Sequence, residues 1–144
     1  MSDPEQSAWQ EQRRAAATDL AAAAEARRRA DAAQAAELLR GFAAEATRQG
    51  IPTTELTARG DDGRARYRTG LRGWYLRRNR TLGVGEDGSF YILSVPGGLR
   101  ARLTGVTVPP SDPPLVVGAG GRDGESIPLP DLLHLRLDAG DDWE

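Results

Sequence analysis

The spacing of hydrophobic residues along this 144-residue chain changes near residue 50. From Ala15 to Ala46 the residues are mainly Ala, Arg, Glu and Leu, with no Pro, and no Gly before Gly41, a composition of high helix propensity. Pairs such as Glu25 and Arg29 at i, i+4 add to it. The ends are marked too. Asp3 can cap, Pro4 takes the first helical position, and Gln6 stands where a capping box places its third residue. At the other end Gly50 supplies a left-handed cap, Ile51 can fold back on the last turn, and Pro52 stops the helix.

Apolar bulk is unevenly shared along this helix. Between Gln10 and Glu37 the only large apolar residue is Leu20, whereas Leu38, Leu39, Phe42, Ala43 and Ala46 form a stripe at helical spacing. The pattern predicts an Ala-rich helical arm over 1–37 and a docked helix over 38–49. The arm reads either as a solvated helix held by propensity and charge pairs, or as half of a close-packed helix pair that makes a homodimer.

Beyond Pro52 the period shortens to that of strands. Leu56 to Arg59 and Arg64 to Arg68 flank Gly60-Asp61-Asp62-Gly63, a hairpin turn. Trp74 to Arg77 and Thr81 to Val84 are further strands, and Gly85-Glu86-Asp87-Gly88 is a second turn. Phe90 to Val95 is apolar on both faces and predicts one central strand. Leu99 to Leu103 and Val106 to Val108 alternate out of phase, which a β-bulge at Gly105 would reconcile. A Pro-rich connection, 109–114, leads to a strand at Leu115, and Ile127 to Leu129 reads as one more. Residues 131–137 fit a helix begun at Pro130 or an alternating strand, with the helix preferred.

This order predicts an α+β fold: a long N-terminal helix, an antiparallel β-meander and a short C-terminal helix. Its domain spans 38–138, with the core drawn from Trp74, Leu76, Phe90, Ile92, Leu103, Val116 and Leu133, and an acidic tail covers 139–144.

Composition then narrows the chemistry. There are 19 arginines, no lysine and 21 acidic residues, for a net charge of −2. The lack of lysine beside abundant Ala, Gly and Arg has the look of a high-GC genome, which weakens arginine content as a functional signal. Without cysteine there is no thiol catalysis, disulfide or thiolate metal site. With one histidine, His134, set between Leu133 and Leu135, neither a zinc site nor a Ser-His-Asp arrangement is expected. The polar, acidic start and the absence of a long apolar run lead us to expect a cytoplasmic protein with no membrane contact. No catalytic residue, cofactor or metal is assigned.

One stretch imitates a nucleotide site. Leu115-Val116-Val117 runs into Gly118-Ala119-Gly120-Gly121-Arg122-Asp123-Gly124. The spacing is one residue too long for the dinucleotide fingerprint, Ile127-Pro128-Leu129-Pro130 opposes the helix that must follow at once, and a P-loop needs a lysine. It is read as a connection between two strands.

Charge segregation supplies the remaining signal. Arginines 59, 64, 66, 68, 72, 77, 78 and 80 against Asp61 and Asp62 give 8 − 2 = +6 locally, interleaved with Tyr67, Trp74 and Tyr75. Arg66, Arg68, Arg72, Tyr75, Arg77, Arg78 and Arg80 are the expected partner-binding residues. The expected function is a small non-enzymatic protein-binding or adaptor domain that meets a protein partner. The alternative is an RNA- or single-stranded DNA-binding regulator, in which arginines neutralise phosphates and rings stack on bases. A third use of the arginines is to meet the chain's own acidic tail, Asp138, Asp141, Asp142 and Glu144.

Overall fold

A computed structural model describes residues 3–96, 103–118 and 126–142. Helix α1 covers Pro4–Arg48, and the carboxylate of Asp3 accepts the amide of Glu5. It ends as the sequence predicts: Gly50 has φ +75°, and the Ile51 amide donates back to the Ala46 carbonyl at 2.9 Å. Ion pairs along it join Glu25 to Arg28, Glu37 to Arg40 and Glu45 to Arg48 at i, i+3, so Glu25 turns to Arg28 and not to Arg29. The docked stretch begins a turn earlier than Leu38, at Ala35, which is fully buried with Leu39 and Ala46. Ahead of Ala32 the helix is almost wholly exposed; Trp9 retains 58 % and Leu20 72 % of its surface.

The sheet comprises β1 (Thr54–Gly60), β2 (Arg66–Tyr75), β3 (Leu82–Gly85), β4 (Phe90–Ile92) and β5 (Ser94–Val95), in the order β4-β3-β2-β1-β5. Thus Trp74 and Tyr75 belong to the same strand as Arg66, and the run from Phe90 to Val95 is two short strands about Leu93. The Leu93 amide donates to the Thr81 carbonyl at 2.8 Å, and its own carbonyl accepts the Arg59 amide at 2.7 Å. Residues 90–95 therefore touch both edges, and the sheet rolls up on itself. The closing pair β1–β5 is parallel, the one departure from an antiparallel meander in this sheet.

Rolling creates two apolar compartments. On the outer face Trp74, Leu76, Val84 and Phe90 pack against Ala35, Leu39, Phe42 and Ala46 of α1. Phe42 meets Trp74 edge to face, with centroids 5.8 Å apart and planes at 85°. The Trp74 Nε1–H donates to the Ile51 carbonyl at 3.1 Å, so the ring is both packed and satisfied. Inside the roll lie Leu56, Ala58, Tyr75, Tyr91, Leu93 and Val108. Phe90 and Tyr91 thus point into different compartments, which explains a run that is apolar on both sides. Gly73 permits the tight pairing of β2 with β3: a Cβ there would lie 1.9 Å from the Val84 carbonyl oxygen.

Three expected core residues lie outside the core. Ile92 is 48 %, Leu103 72 % and Val116 54 % exposed, while their neighbours Tyr91, Leu93 and Val117 are buried. Leu103 and Thr104 are helical, and Gly105, at φ +78°, follows them outside any strand, so no bulge is needed to restore a phase. The rest of the expected strand, 99–102, is outside the described residues. Val106 to Val108 is not a strand; the Val106 amide donates to the Arg68 carbonyl at 2.8 Å, and Val108 enters the inner compartment. Strand β6 (Val116–Val117) pairs antiparallel with β7 (Ile127–Pro128), as expected of strands joined by the glycine segment, most of which lies outside the described residues. Helix α2 (Leu129–Ala139) buries Leu129, Leu132, Leu133 and Arg136. Residues 131–137 are therefore helical.

Candidate functional site

Strand β2 sorts its side chains by alternation. Tyr67 and Tyr75 are buried and Leu71 packs on the inner compartment, while Arg66, Arg68 and Arg72 are exposed on the opposite face. Leu56 pairs with Leu71 and Thr57 with Arg68, so β2 carries Thr69 and Gly70 as an insertion. Because two residues are inserted, the alternation keeps its phase and the three arginines stay on one face.

Two of these guanidinium groups bond the segment 53–57, at the start of β1. Arg66 donates from Nε to Thr57 Oγ1 at 3.0 Å and from Nη2 to the Thr57 carbonyl at 2.9 Å, and Nη2 also reaches the Arg80 carbonyl at 3.5 Å. Arg72 donates to the Thr53 carbonyl at 3.3 Å. Arg68 and Arg78 are exposed. All ion pairs among the described residues lie on α1, so no described carboxylate is in ion-pair contact with Arg66, Arg68, Arg72 or Arg78.

The remaining expected site residues sit differently from a flat exposed strand end. Strand β2 stops at Tyr75, so Arg77, Arg78 and Arg80 occupy the connection to β3, where the Arg80 amide donates to the Arg77 carbonyl at 3.0 Å. Arg77 is half-buried, and its Nε is enclosed without a hydrogen-bond partner. Arg80 has φ +59°, and its guanidinium lies 5.7 Å from the centre of the Tyr75 ring. Tyr75 was expected on an exposed aromatic face, but it is 4 % exposed in the inner compartment. Its hydroxyl oxygen accepts the Thr57 amide at 2.8 Å, so the ring fills the inner compartment while its polar end bonds the β1 backbone. Tyr67 and Trp74 are buried as well, at 5 % and 1 %.

Before β1 reaches its short pairing with β5 at Arg59 and Gly60, its first residues border a cleft of about 400 Å³. Thr53, Thr54, Glu55 and Thr57 line one side; Tyr75, Arg80, Arg136 and Asp141 line the others. Arg136 is the residue that sequence reading missed. Only 5 % exposed, it donates from Nε to the Tyr75 carbonyl and from Nη1 to the Gly140 carbonyl, both at 2.8 Å. Burial lowers its pKa from the usual arginine range, partly countered by the negative charge of Asp141. Its signal was available, because Arg136 falls at i+3 and i+4 from Leu133 and Leu132, on the apolar side of α2.

Among the described residues no cluster of three or more His, Asp or Glu side chains could hold a metal ion, and His134 is exposed. No helix of the described residues is long and apolar enough to cross a membrane. Comparison of the chain with protein-family models, curated proteins and solved structures gave no match.

Proposed function

We propose that this protein is a non-enzymatic adaptor of the cytoplasm whose arginine face receives an acidic segment of a partner protein. The observation that carries this reading is the separation of charge from aromatic surface. Arg66, Arg68, Arg72, Arg78 and Arg80 are exposed, whereas Tyr67, Trp74 and Tyr75 are buried. Single-stranded nucleic acid is ordinarily held by cations together with rings on which bases stack. This face offers cations and backbone acceptors without rings. Carboxylates need only the former, and planar guanidinium groups suit them. The projecting part of α1 leaves a helix surface for self-association, the dimer foreseen for the arm.

Fluorescence anisotropy with a labelled oligo-glutamate peptide and a labelled single-stranded oligonucleotide tests the reading. Arg68, Arg72 and Arg78 are changed together to Gln, three exposed residues whose loss should cost little folding stability. The acidic peptide should bind the wild type and weaken in the triple variant. Binding of the oligonucleotide alone, with a steep salt dependence that becomes shallower in the variant, would establish the nucleic-acid alternative.

A further inference from the structure

Helix α1 carries one of its sides out past the body of the protein. Positions 7, 11, 14, 18, 21, 25, 28 and 32 follow one another at alternating intervals of four and three, the spacing of a helix-pair seam. The same row runs on into Ala35 and Leu39, which are fully buried in the outer compartment. The projecting row is thus the exposed continuation of the docked one. Where it leaves the body, Arg28, Ala32 and Ala36 border a groove of about 820 Å³ whose other wall is the segment 113–116. Val116 is exposed on that wall.

The charges of this row fit a second copy of the same helix. They are Glu11 and Arg14 on one side of Thr18 and Ala21, and Glu25 and Arg28 on the other. Two copies set antiparallel, with Thr18 of each opposite Ala21 of the other, bring Arg14 of each opposite Glu25 and Glu11 opposite Arg28. Every charge then meets its opposite, whereas a parallel pair sets each of the four against itself. Glu25 and Arg28 already form an ion pair at 2.6 Å, so each end of the dimer would hold a line of four alternating charges, worth more than isolated surface pairs. Small residues at the centre admit the close axial approach, about 8 Å, that such reach requires. Leu20 and Trp9 stand on another side of the helix. An axis through Leu20 would set Arg13 of one copy against Arg27 of the other, and the Trp9 ring is already covered by Arg13 at 4.7 Å. We infer that α1 pairs antiparallel with α1 of a second copy about an axis midway between Thr18 and Ala21, the first turns of each helix seated in the other's groove. This rests on the self-association reading of the arm and specifies its geometry; it does not depend on the acidic partner. In this register Ser7 lies opposite Ala32, so the start of one helix runs beside the 113–116 wall of the other. The paired stretch, residues 4–35, is about 48 Å long at 1.5 Å per residue, and it puts the two sheets at opposite ends of the dimer.

The test uses the full chain and sedimentation over a concentration series, in which the wild type should be a concentration-dependent dimer. One variant exchanges the charges near the N-terminus, Glu11→Arg with Arg14→Glu; another exchanges those near the body, Glu25→Arg with Arg28→Glu; a third carries all four changes. Composition and net charge are the same in each, and every exchange keeps its i, i+3 pair of opposite charges. The first two set like charges against each other and should raise the dimer Kd by about tenfold or more, while the third should return it to within about threefold of the wild type. Because the chain has no cysteine, introduced thiols report register directly. Ser7→Cys and Ala32→Cys proteins should form a disulfide-linked dimer when mixed and oxidised, and neither should do so alone. Cross-linking of Ser7→Cys with itself, a dimer indifferent to the charge exchanges, or a third variant as weak as the first two would leave self-association standing and overturn the antiparallel pairing. A chain that stays monomeric at every concentration would overturn both.

Discussion

Two residues show how local geometry sets the behaviour of the roll. Gly73 allows β2 and β3 to approach so closely that any Cβ would sit on the Val84 carbonyl. Backbone must move to admit even a methyl group, so Gly73→Ala should cost about 2 kcal/mol or more, read as a lowered urea midpoint. Asp87 is governed by charge. Its carboxylate accepts the Ser89 amide at 2.9 Å and the Ser89 hydroxyl at 3.0 Å, and these bonds, the amide first, hold its pKa below the ordinary aspartate value. A depressed carboxylate contributes stability above its unfolded pKa and loses it as pH falls through the folded one. Wild type should therefore lose more stability between about pH 5 and pH 3 than Asp87→Asn does, measured as the change in urea midpoint over that window.

Among the elements, α1 divides sharply between docked and free. Leu39 is fully buried in the outer compartment, and Leu39→Ala should cost about 2–5 kcal/mol by chemical denaturation. Residues 3–31 are exposed or nearly so, and deleting 1–31 should leave the melting temperature of the remainder almost unchanged. A changed oligomeric state at constant melting temperature would mark the arm as a helix-pair surface. This division was legible in the sequence because large apolar side chains recur at helical spacing only after residue 37; the slip of one turn at Ala35 reflects how little an alanine advertises its burial. Strands were harder to read. The hairpin at Gly60–Gly63 and the turn at Gly85–Gly88 carry local signals, whereas the double pairing of residues 90–95 depends on contacts distant in sequence. The arginines could be counted but not placed, since Tyr75 and Arg77 are turned inward by strand phase and by the connection to β3. Arg136 escaped because a charged residue on an apolar helix face is assigned to solvent unless its partners, among them the carbonyls of Tyr75 and Gly140, are known.

At the scale of the whole molecule, the two flanks of the glycine segment are paired as strands, Val116–Val117 with Ile127–Pro128. The next helix begins only at Leu129, with Pro128 as its cap and no capping side chain. ATP or NAD should therefore leave the melting temperature unchanged, and a saturable upward shift would contradict that. The roll of the sheet has its own consequence. Leu93 is hydrogen-bonded towards both β3 and β1, with Thr81 on one side and Arg59 on the other, so neither edge can fray without breaking the contact that holds the other. Fraying one strand at a time, the usual route by which an open sheet lets in water, is closed to this part of the chain. The amides of Leu93 and Arg59 should accordingly exchange with deuterium only through global unfolding, at one common rate set by the total stability, while those of the projecting helix exchange within its own rapid local openings.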